Sequence, residues 1–287
     1  MLAIGIDIGG THTRIGLVSK DGTLVKIKEI PTDLSLNPDA FFKKLTKEMA
    51  PFLEKASSLG IGIAGQIEEG YLHFAPNLNW RNIPIKETLH ALTGLKVTVE
   101  NDVRAALIGE WNSGAGRGYN DVILLSLGTG LGGAFISGGT LIRGANHAAG
   151  EVGHLCIDFN GPKCSCGSHG CLEAYAGGWA IAKRAKGLAA AKVFEKAKAG
   201  EAEYAAIVEE ATRALGAGVG SLLNLLNPRC IIFTGGIFTA HLSLIENIKK
   251  EAQKIALPIE FQKVEWKMGA LEYPGVIGSA LASFPLK

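Results

Sequence analysis

The chain has 287 residues, of which 47% are hydrophobic and 20% charged, and its net charge at neutral pH is +2. This composition supplies a substantial core and excludes a largely disordered chain, while the near-balanced charge gives no sign of a nucleic-acid partner. No apolar stretch approaches the length of a membrane helix, and the N-terminus lacks the basic start of a signal peptide. We therefore expect a cytoplasmic protein with no membrane partner and with one large or two modest domains.

A strand–turn–strand unit is predicted twice. Residues 5–24 read GIDIGGTHTRIGLVSKDGTL, and residues 124–141 read LLSLGTGLGGAFISGGTL. Each segment has two apolar strands joined by a small-residue turn, followed by a tight turn built on Asp-Gly or Gly-Gly, which are strong hairpin signals. The repetition predicts an internal duplication and therefore two similar lobes.

Strands and helices alternate along the rest of the chain. Hydrophobic periodicity predicts helices over 38–56, 84–92, 103–111, 179–198, 202–226 and 241–256, and strands over 59–64, 96–100 and 230–234. The dipeptide after residue 226 is Asn-Pro, which predicts the end of the long helix there. This alternation is typical of α/β architecture, and two such lobes imply a central cleft.

Both glycine-rich loops are predicted to bind phosphate. Glycines let the backbone approach a ligand and direct N–H groups at phosphate oxygens, and an aspartate at a strand end can hold hydrated Mg²⁺. The alternative is that the loops are merely tight hairpins. No G-x-x-x-x-G-K-[ST] motif occurs, which excludes a Walker-type nucleotide site. The candidate residues are Asp7, Gly9, Gly10 and Thr11 in the first loop, and Gly128, Thr129 and Gly130 in the second.

Asn101 and Asp102 lie at a predicted strand-to-helix junction, where α/β folds place their ligands. One polar residue would suffice to cap the helix, which is the alternative interpretation, but Glu100 makes three in a row. Phosphoryl transfer needs a carboxylate that receives the proton of the acceptor hydroxyl. Asp102 is our candidate for this general base.

Four zinc ligands fall within eighteen residues. Cys164, Cys166 and Cys171 lie on a glycine-rich stretch, and His154 is ten residues upstream of the first of them. A closed Cys3His site leaves no position for water, so we predict structural Zn²⁺ that also holds Glu151 beside the imidazole. His169 is a rival fourth ligand, and reduced core cysteines or a disulfide are weaker alternatives.

Together these motifs resemble the ROK family of sugar kinases, in the actin-like ATPase superfamily with its ribonuclease H-like lobes. The resemblance is carried by IDIGGT at 6–11, LGTGLGGAFI at 127–136, GANHAAGEVGH at 144–154 and CSCGSHGCLE at 164–173. It implies an ATP- and Mg²⁺-dependent hexose kinase in which Asp102 is the base for the sugar 6-hydroxyl. It also implies sugar contacts from Gly65, Asn77, Asn101, Asp102, Glu151, His154 and Glu173, and an adenosine-side turn at Gly235 and Gly236.

The resemblance further implies a small N-terminal lobe of residues 1–111 with the C-terminal helix 275–287. The larger lobe would be residues 112–274 with a zinc knuckle at 154–171, and the chain would assemble as a dimer or tetramer. Arg104 and His12 depart from the common family pattern, and Arg104 either alters the charge of the sugar site or faces solvent. The loop before Glu151 has an unusual sequence for the family, and His147 in it is a candidate contact for a sugar substituent.

Glucose is the expected acceptor, because APNLNW at 75–80 and ENDVRAA at 100–106 resemble glucokinase-type members. An N-acetylmannosamine or N-acetylglucosamine kinase is the alternative within the class. A non-catalytic sugar sensor is a more distant alternative. Sensors of this family carry a helix-turn-helix ahead of the first phosphate loop, which begins here at residue 4.

Overall fold

The computed structural model describes residues 1–284 as two compact units. Unit 1 comprises residues 1–118, 143–149 and the described part of 269–287, and unit 2 comprises residues 119–142 and 150–268. The predicted functional division into 1–111 and 112–274 stays a prediction, and residues 285–287 of the predicted C-terminal helix lie outside the described residues. No helix among the described residues is long and apolar enough to cross a membrane.

Unit 1 is built on a five-stranded sheet with helices around it and a small three-stranded sheet beside them. Its chain order is β1 (Leu2–Ile8), β2 (His12–Ser19), β3 (Leu24–Pro31), α1 (Pro38–Leu53), β4 (Ala56–Ile63), β5 (Gln66–Glu68), β6 (Tyr71–Ala75), β7 (Trp80–Ile83), α2 (Ile85–Thr93), β8 (Lys96–Asn101) and α3 (Asp102–Ser113). A short 3₁₀ turn, Pro76–Leu78, precedes β7.

Unit 2 holds the second five-stranded sheet. Its chain order is β9 (Val122–Leu127), β10 (Leu131–Ser137), β11 (Thr140–Leu141), α4 (Leu172–Ala176), α5 (Gly178–Arg184), α6 (Ala190–Lys198), α7 (Ala202–Leu226), β12 (Cys230–Thr234), α8 (Gly236–Ala240), α9 (Ser243–Gln253), α10 (Pro258–Lys263) and β13 (Glu265–Met268). A 3₁₀ turn, Val152–His154, precedes α4. The chain then returns to unit 1 for α11 (Pro274–Ser283).

The two large sheets share one topology, which confirms the predicted duplication. Their strand orders are β3-β2-β1-β4-β8 and β11-β10-β9-β12-β13. In each sheet an antiparallel hairpin comes first, and its first strand then pairs in parallel with a later strand. The mixed α/β class and the two predicted hairpins are therefore both present.

Several predicted boundaries are wrong. The helix predicted over 179–198 is two helices, α5 and α6, because Lys186 (φ 55°) and Gly187 (φ 94°) turn the backbone into left-handed conformations. The helix predicted over 38–56 ends at Leu53, and the following strand begins at Ala56. Gly236 starts α8 instead of completing a turn, and the next helix covers only Ser243–Gln253.

Helix α11 packs directly on the unit 1 sheet through glycines. A Cβ on Gly60 of β4 would lie 1.8 Å from the carbonyl oxygen of Ser279, and a Cβ on Gly278 would lie 1.7 Å from that of Ala105 in α3. No side chain fits at those distances, so glycine is what allows α11 to approach both β4 and α3. The same approach places Gly275, near the start of α11, against Asp7: a Cβ on Gly275 would lie 3.0 Å from the Asp7 carboxylate.

A buried carboxylate ties the end of α3 to the segment that leads into α11. Glu110 is fully buried, and it accepts hydrogen bonds from the backbone N–H groups of Ala115 (2.8 Å), Ala270 (3.1 Å) and Leu271 (2.9 Å). Three donors from two separate segments thus share one buried carboxylate. Removing it would take away the acceptor of all three N–H groups.

We predict that Glu110→Ala lowers the free energy of unfolding by about 3–5 kcal/mol, since three backbone N–H groups lose the carboxylate that accepts from them and a void replaces a fully buried side chain. Urea denaturation checks this. Glu48→Ala is the control: Glu48 forms a half-exposed ion pair with Lys28, whose loss should change the free energy of unfolding far less. Equal losses in the two variants would contradict the role given to Glu110.

Candidate active site

Three parallel strands of unit 1 end at one edge of the sheet, and each is followed by a predicted functional segment. β1 pairs in parallel with β4, and β4 with β8, so that Ile8 lies beside Ile63 and Ile63 beside Asn101. The first phosphate loop, Gly65 and the Asn101–Asp102 junction follow these strand ends. The carboxyl edge of a parallel sheet is where α/β proteins bind ligands.

Two carboxylates at this edge repel each other. The pKa of Asp7 is raised to about 6, first because the protein around its carboxyl group removes water and second because Asp102 is nearby, while Arg14 at 4.0 Å opposes the rise. The Asp7 side chain is nevertheless 26% exposed, so a ligand can reach it. A raised carboxylate pKa is a mark of functional sites, and a bound cation would favour ionised Asp7.

Asn101 caps α3, as the alternative interpretation expected. Its Oδ1 accepts hydrogen bonds from the N–H groups of Val103 (3.0 Å) and Arg104 (3.2 Å). This leaves the Nδ2 amide of Asn101 as the part of its side chain that can donate to a ligand. Capping fixes the start of α3 and therefore the position of Asp102, the first residue of that helix.

Arg104 does not face solvent, because its side chain is only 3% exposed and pairs with Glu100 at 2.6 Å. Glu100 is the third polar residue of the run at the junction. Its carboxylate forms two ion pairs inside unit 1, one with Arg104 and one with Arg143, so we do not assign it to a ligand.

Asn77 lies near the first phosphate loop, and Gly65 lies at a position where only glycine fits. A Cβ on Gly10 would lie 3.5 Å from the backbone oxygen of Asn77, so the structure places Asn77 against that loop. The loop itself is closed by a hydrogen bond from Gly9 N to His12 O and supported by Thr32, whose hydroxyl donates to Gly9 O. Gly65 has φ 147°, and a Cβ there would lie 2.5 Å from Phe74 O, so only glycine fits.

In unit 2 the second phosphate loop and the Gly235 turn lie side by side. β9 and β12 are parallel, with Ser126 beside Thr234, so both turns leave the same edge of the sheet. A Cβ on Gly235 (φ 92°) would lie 2.5 Å from Leu127 O. The loop is also anchored to α5, because Gly178 N donates to Gly128 O and Trp179 N donates to Thr129 O.

Glu173 braces this loop. One of its carboxylate oxygens accepts from Leu131 N (2.8 Å) and the other from the indole N–H of Trp179 (2.9 Å). The turn that contains Glu151 and His154 adjoins it, since a Cβ on Gly153 would lie 2.2 Å from Leu131 O and 3.3 Å from the Glu173 Cβ. Glu151 and His154 are exposed and Glu173 is half-buried.

The predicted metal ligands converge. One ligand atom from each of His154, Cys164, Cys166 and Cys171 lies within 4.8 Å of the others, and His169 does not belong to this group. Tetrahedral Zn²⁺ with bonds of about 2.3 Å to sulfur and 2.0 Å to nitrogen separates its ligand atoms by about 3.6–3.8 Å. The distances from Cys164 Sγ to His154 Nδ1 and from Cys166 Sγ to Cys171 Sγ are both 3.7 Å, so these residues fit zinc.

The thiols of this cluster differ in acidity. Burial, followed by the hydrogen bonds of its thiol with Cys164 and Cys166, raises the pKa of Cys171 to about 12, whereas a hydrogen bond from the backbone of Ser168 lowers the pKa of Cys166. Zinc binds thiolates, so binding releases protons and its affinity rises with pH. His154 presents Nδ1 to the cluster, which leaves Nε2 for a second partner.

Comparisons with known proteins agree with this geometry. The family model described as "ROK family" matches residues 3–281. This chain belongs to the ROK family. It is 33% identical to a glucokinase of Halalkalibacterium halodurans (96% of this chain, 92% of the relative) and 30% identical to an N-acetylmannosamine kinase of Escherichia coli (98% of each). It also superposes on a ROK family glucokinase from Streptomyces griseus in complex with glucose and AMPPNP, with a TM-score of 0.84, 31% identity and 99% coverage of both chains.

The ROK resemblance and the fold it implied are therefore confirmed. Sequence reasoning missed Trp179 and Gly275, which touch the candidate residues Glu173 and Asp7. The only signal for Trp179 was its place directly after the Gly-Gly pair 177–178, and nothing local marks Gly275, because its partner lies far away along the chain.

We predict that Cys166→Ser lowers bound zinc from about one ion per chain to well below one, since three ligands hold zinc less tightly than four. Elemental analysis of dialysed protein checks this. Cys156→Ser is the matched control, because Cys156 is exposed, forms a β-bridge with Cys171 and lies outside the ligand group. Zinc retained by the first variant, or lost equally by both, would rule out the assignment.

Proposed function

We propose that this protein phosphorylates the 6-hydroxyl of a hexose with ATP, and that glucose is its preferred acceptor. The observation that carries the proposal is Asp102, at the carboxyl edge of unit 1 beside Asp7 and next to a glycine-rich loop. The family membership and the glucokinase relatives support the reaction class, and the glucose and AMPPNP bound to the Streptomyces griseus protein support both substrates.

Asp102 acts as the general base. Its carboxylate accepts the proton of the sugar 6-hydroxyl while that oxygen forms a bond to the γ-phosphorus of ATP. The bond from this phosphorus to the β–γ bridging oxygen breaks, ADP leaves, and the proton passes from Asp102 to solvent. Such a base contributes roughly 10²- to 10⁴-fold to the rate.

The glycine loops are the proposed phosphate-binding elements. Gly9, Gly10 and Thr11 belong to the first loop, and the second offers the backbone of 128–130, where Glu173 and α5 hold the loop in shape. Mg²⁺ would be held through water by Asp7 and would neutralise charge on the phosphates. Because the pKa of Asp7 is about 6, the carboxylate is mostly ionised at neutral pH.

A cavity in unit 2 offers room for the nucleoside. It measures about 700 Å³, and its lining includes Thr239 and His241. Thr239 lies in the last turn of α8, the short helix that starts after Gly235, and His241 follows that helix. Because this helix has five residues, it is only about 7.5 Å long, so the cavity lies close to Gly235. His241 stacks on Phe194 with ring centroids 4.3 Å apart, and burial followed by Lys198 lowers its pKa, so it presents a neutral ring.

The family pattern assigns the sugar contacts to these side chains and backbone groups: Gly65, Asn77, the Asn101 amide, Asp102, Glu151, Nε2 of His154 and Glu173. Zinc is structural in this proposal, since four protein ligands leave no coordination position for substrate, and it holds the His154 ring in one orientation. The dimeric or tetrameric assembly stays a prediction.

The experiment that tests the proposal is a coupled ADP-release assay with ATP and Mg²⁺. Glucose, mannose, fructose, N-acetylmannosamine and N-acetylglucosamine are compared by kcat/KM. We expect glucose to exceed every N-acetyl sugar. A higher kcat/KM with an N-acetyl sugar would favour the alternative that the 30% identical Escherichia coli kinase supports. No turnover with any of the five would refute the kinase and favour a sugar sensor.

We predict that Asp102→Asn lowers kcat by roughly 10²- to 10⁴-fold, because the amide cannot accept the hydroxyl proton. Glucose should still bind, since the change is isosteric, and isothermal titration measures this separately from turnover. Asp39→Asn, on the exposed first turn of α1, is the control and should keep full activity. Substantial turnover by Asp102→Asn would remove this residue from the base role.

A further inference from the structure

A buried carboxylate, two residues before the candidate base, lies between two arginines. Glu100 is 6% exposed at its side chain; one oxygen pairs with Arg104 Nε at 2.6 Å and the other with Arg143 Nε at 2.9 Å. Arg104 is 3% exposed and Arg143 is 41% exposed. We call these three residues the arginine–glutamate triad. The proposed function does not use them.

The triad holds both ends of one chain segment. Residues 143–149 stand between two stretches of unit 2 in the sequence but belong to unit 1. Arg143 begins the segment and binds Glu100, while Arg104 Nη1 donates to the carbonyl oxygen of Ala149 at its end (3.3 Å). The segment closes on itself, because Ala149 N donates to Arg143 O (2.9 Å). It is therefore a small closed loop attached at its base.

The same carboxylate shapes the junction that carries Asp102. Oε1 of Glu100 also accepts from Asn101 N at 3.0 Å, and Asn101 in turn caps the helix that Asp102 starts. One side chain thus contacts both the strand-to-helix junction and the base of the 143–149 loop. Beyond that loop, Glu151 follows after one residue and His154 after four.

We infer that the arginine–glutamate triad is a positioning device for the acceptor sugar, an inference that rests on the proposed function. It holds the 143–149 loop in register with the Asp102 junction, so that the sugar-binding residues following the loop are ordered before the sugar arrives. Replacing a buried ion network by apolar residues often preserves stability, so its retention is better explained by registry than by stability. Without the triad, sugar binding would have to order the loop itself.

Arg143→Met is the informative variant. Methionine keeps the apolar character of the stem, and Glu100 keeps its partner Arg104, so the buried Glu100 carboxylate is not left unpaired. We expect kcat/KM for the sugar to fall roughly 10- to 100-fold, mainly through KM for sugar, with KM for ATP changed by less than about twofold. Arg143→Lys should recover part of the loss, because it restores the charge without the planar fork.

Hydrogen exchange of the holoenzyme, followed by mass spectrometry, supplies a readout that does not depend on activity. Amides of residues 144–149 should exchange faster in Arg143→Met than in the wild type. The matched control is Lys28→Met, which breaks the Lys28–Glu48 pair on the same unit and should change neither exchange of residues 144–149 nor KM. The Lys28 side chain is 39% exposed, close to the 41% of Arg143.

The outcomes separate the two proposals. Faster exchange with a raised KM for sugar supports the triad's role. Faster exchange with unchanged kinetics overturns it, as does a lower kcat with unchanged KM for sugar, which is what a smaller folded fraction would give. Unchanged exchange shows that Arg143 does not hold the loop and also overturns it. A wild type inactive on all sugars refutes the proposed function, while the exchange data still report on the attachment of the loop.

Discussion

The repulsion between Asp7 and Asp102 is the constraint on which unit 1 depends. Two carboxylates stay together at a sheet edge only if the surrounding packing stabilises that arrangement. The pKa of Asp7 is raised first by burial and second by the repulsion from Asp102. The packing that does so is α11, which approaches β4 and α3 through glycines and brings Gly275 against Asp7. A site that disfavours ionised Asp7 when alone is prepared for a cation, because binding one removes the repulsion.

In unit 2 the main structural requirement is to hold a flexible glycine loop in one conformation. Glycine backbones lose much conformational freedom when ordered, so the loop at 128–130 needs outside support. Glu173 supplies it from one side and α5 from the other. Glu173 follows Cys171 by two residues, so the metal cluster and the phosphate loop are joined through the first turn of α4.

Much of this could be predicted from the chain because the signals are local. The hairpins, the Asn101–Asp102 junction and the zinc ligands each occupy a short stretch with characteristic turn or ligand chemistry. The errors arose where local signals compete: alanine-rich periodicity concealed the left-handed break at Lys186 and Gly187. The Glu100–Arg143 pair and the contact of Gly275 with Asp7 join distant residues, and no periodicity encodes them.

The duplication shows how one topology acquires two roles. Both large sheets place a glycine-rich turn between their first two strands, but only the turn of unit 1 has an aspartate on the strand before it; at the equivalent place unit 2 has Ser126. The turn of unit 1 therefore has a carboxylate beside it, while the turn of unit 2 relies on backbone N–H groups and on the support of Glu173 and α5. Under the proposed function these groups have different tasks, a carboxylate that would hold hydrated Mg²⁺ and neutral donors for the phosphate, and the divergence of the two repeats separates them.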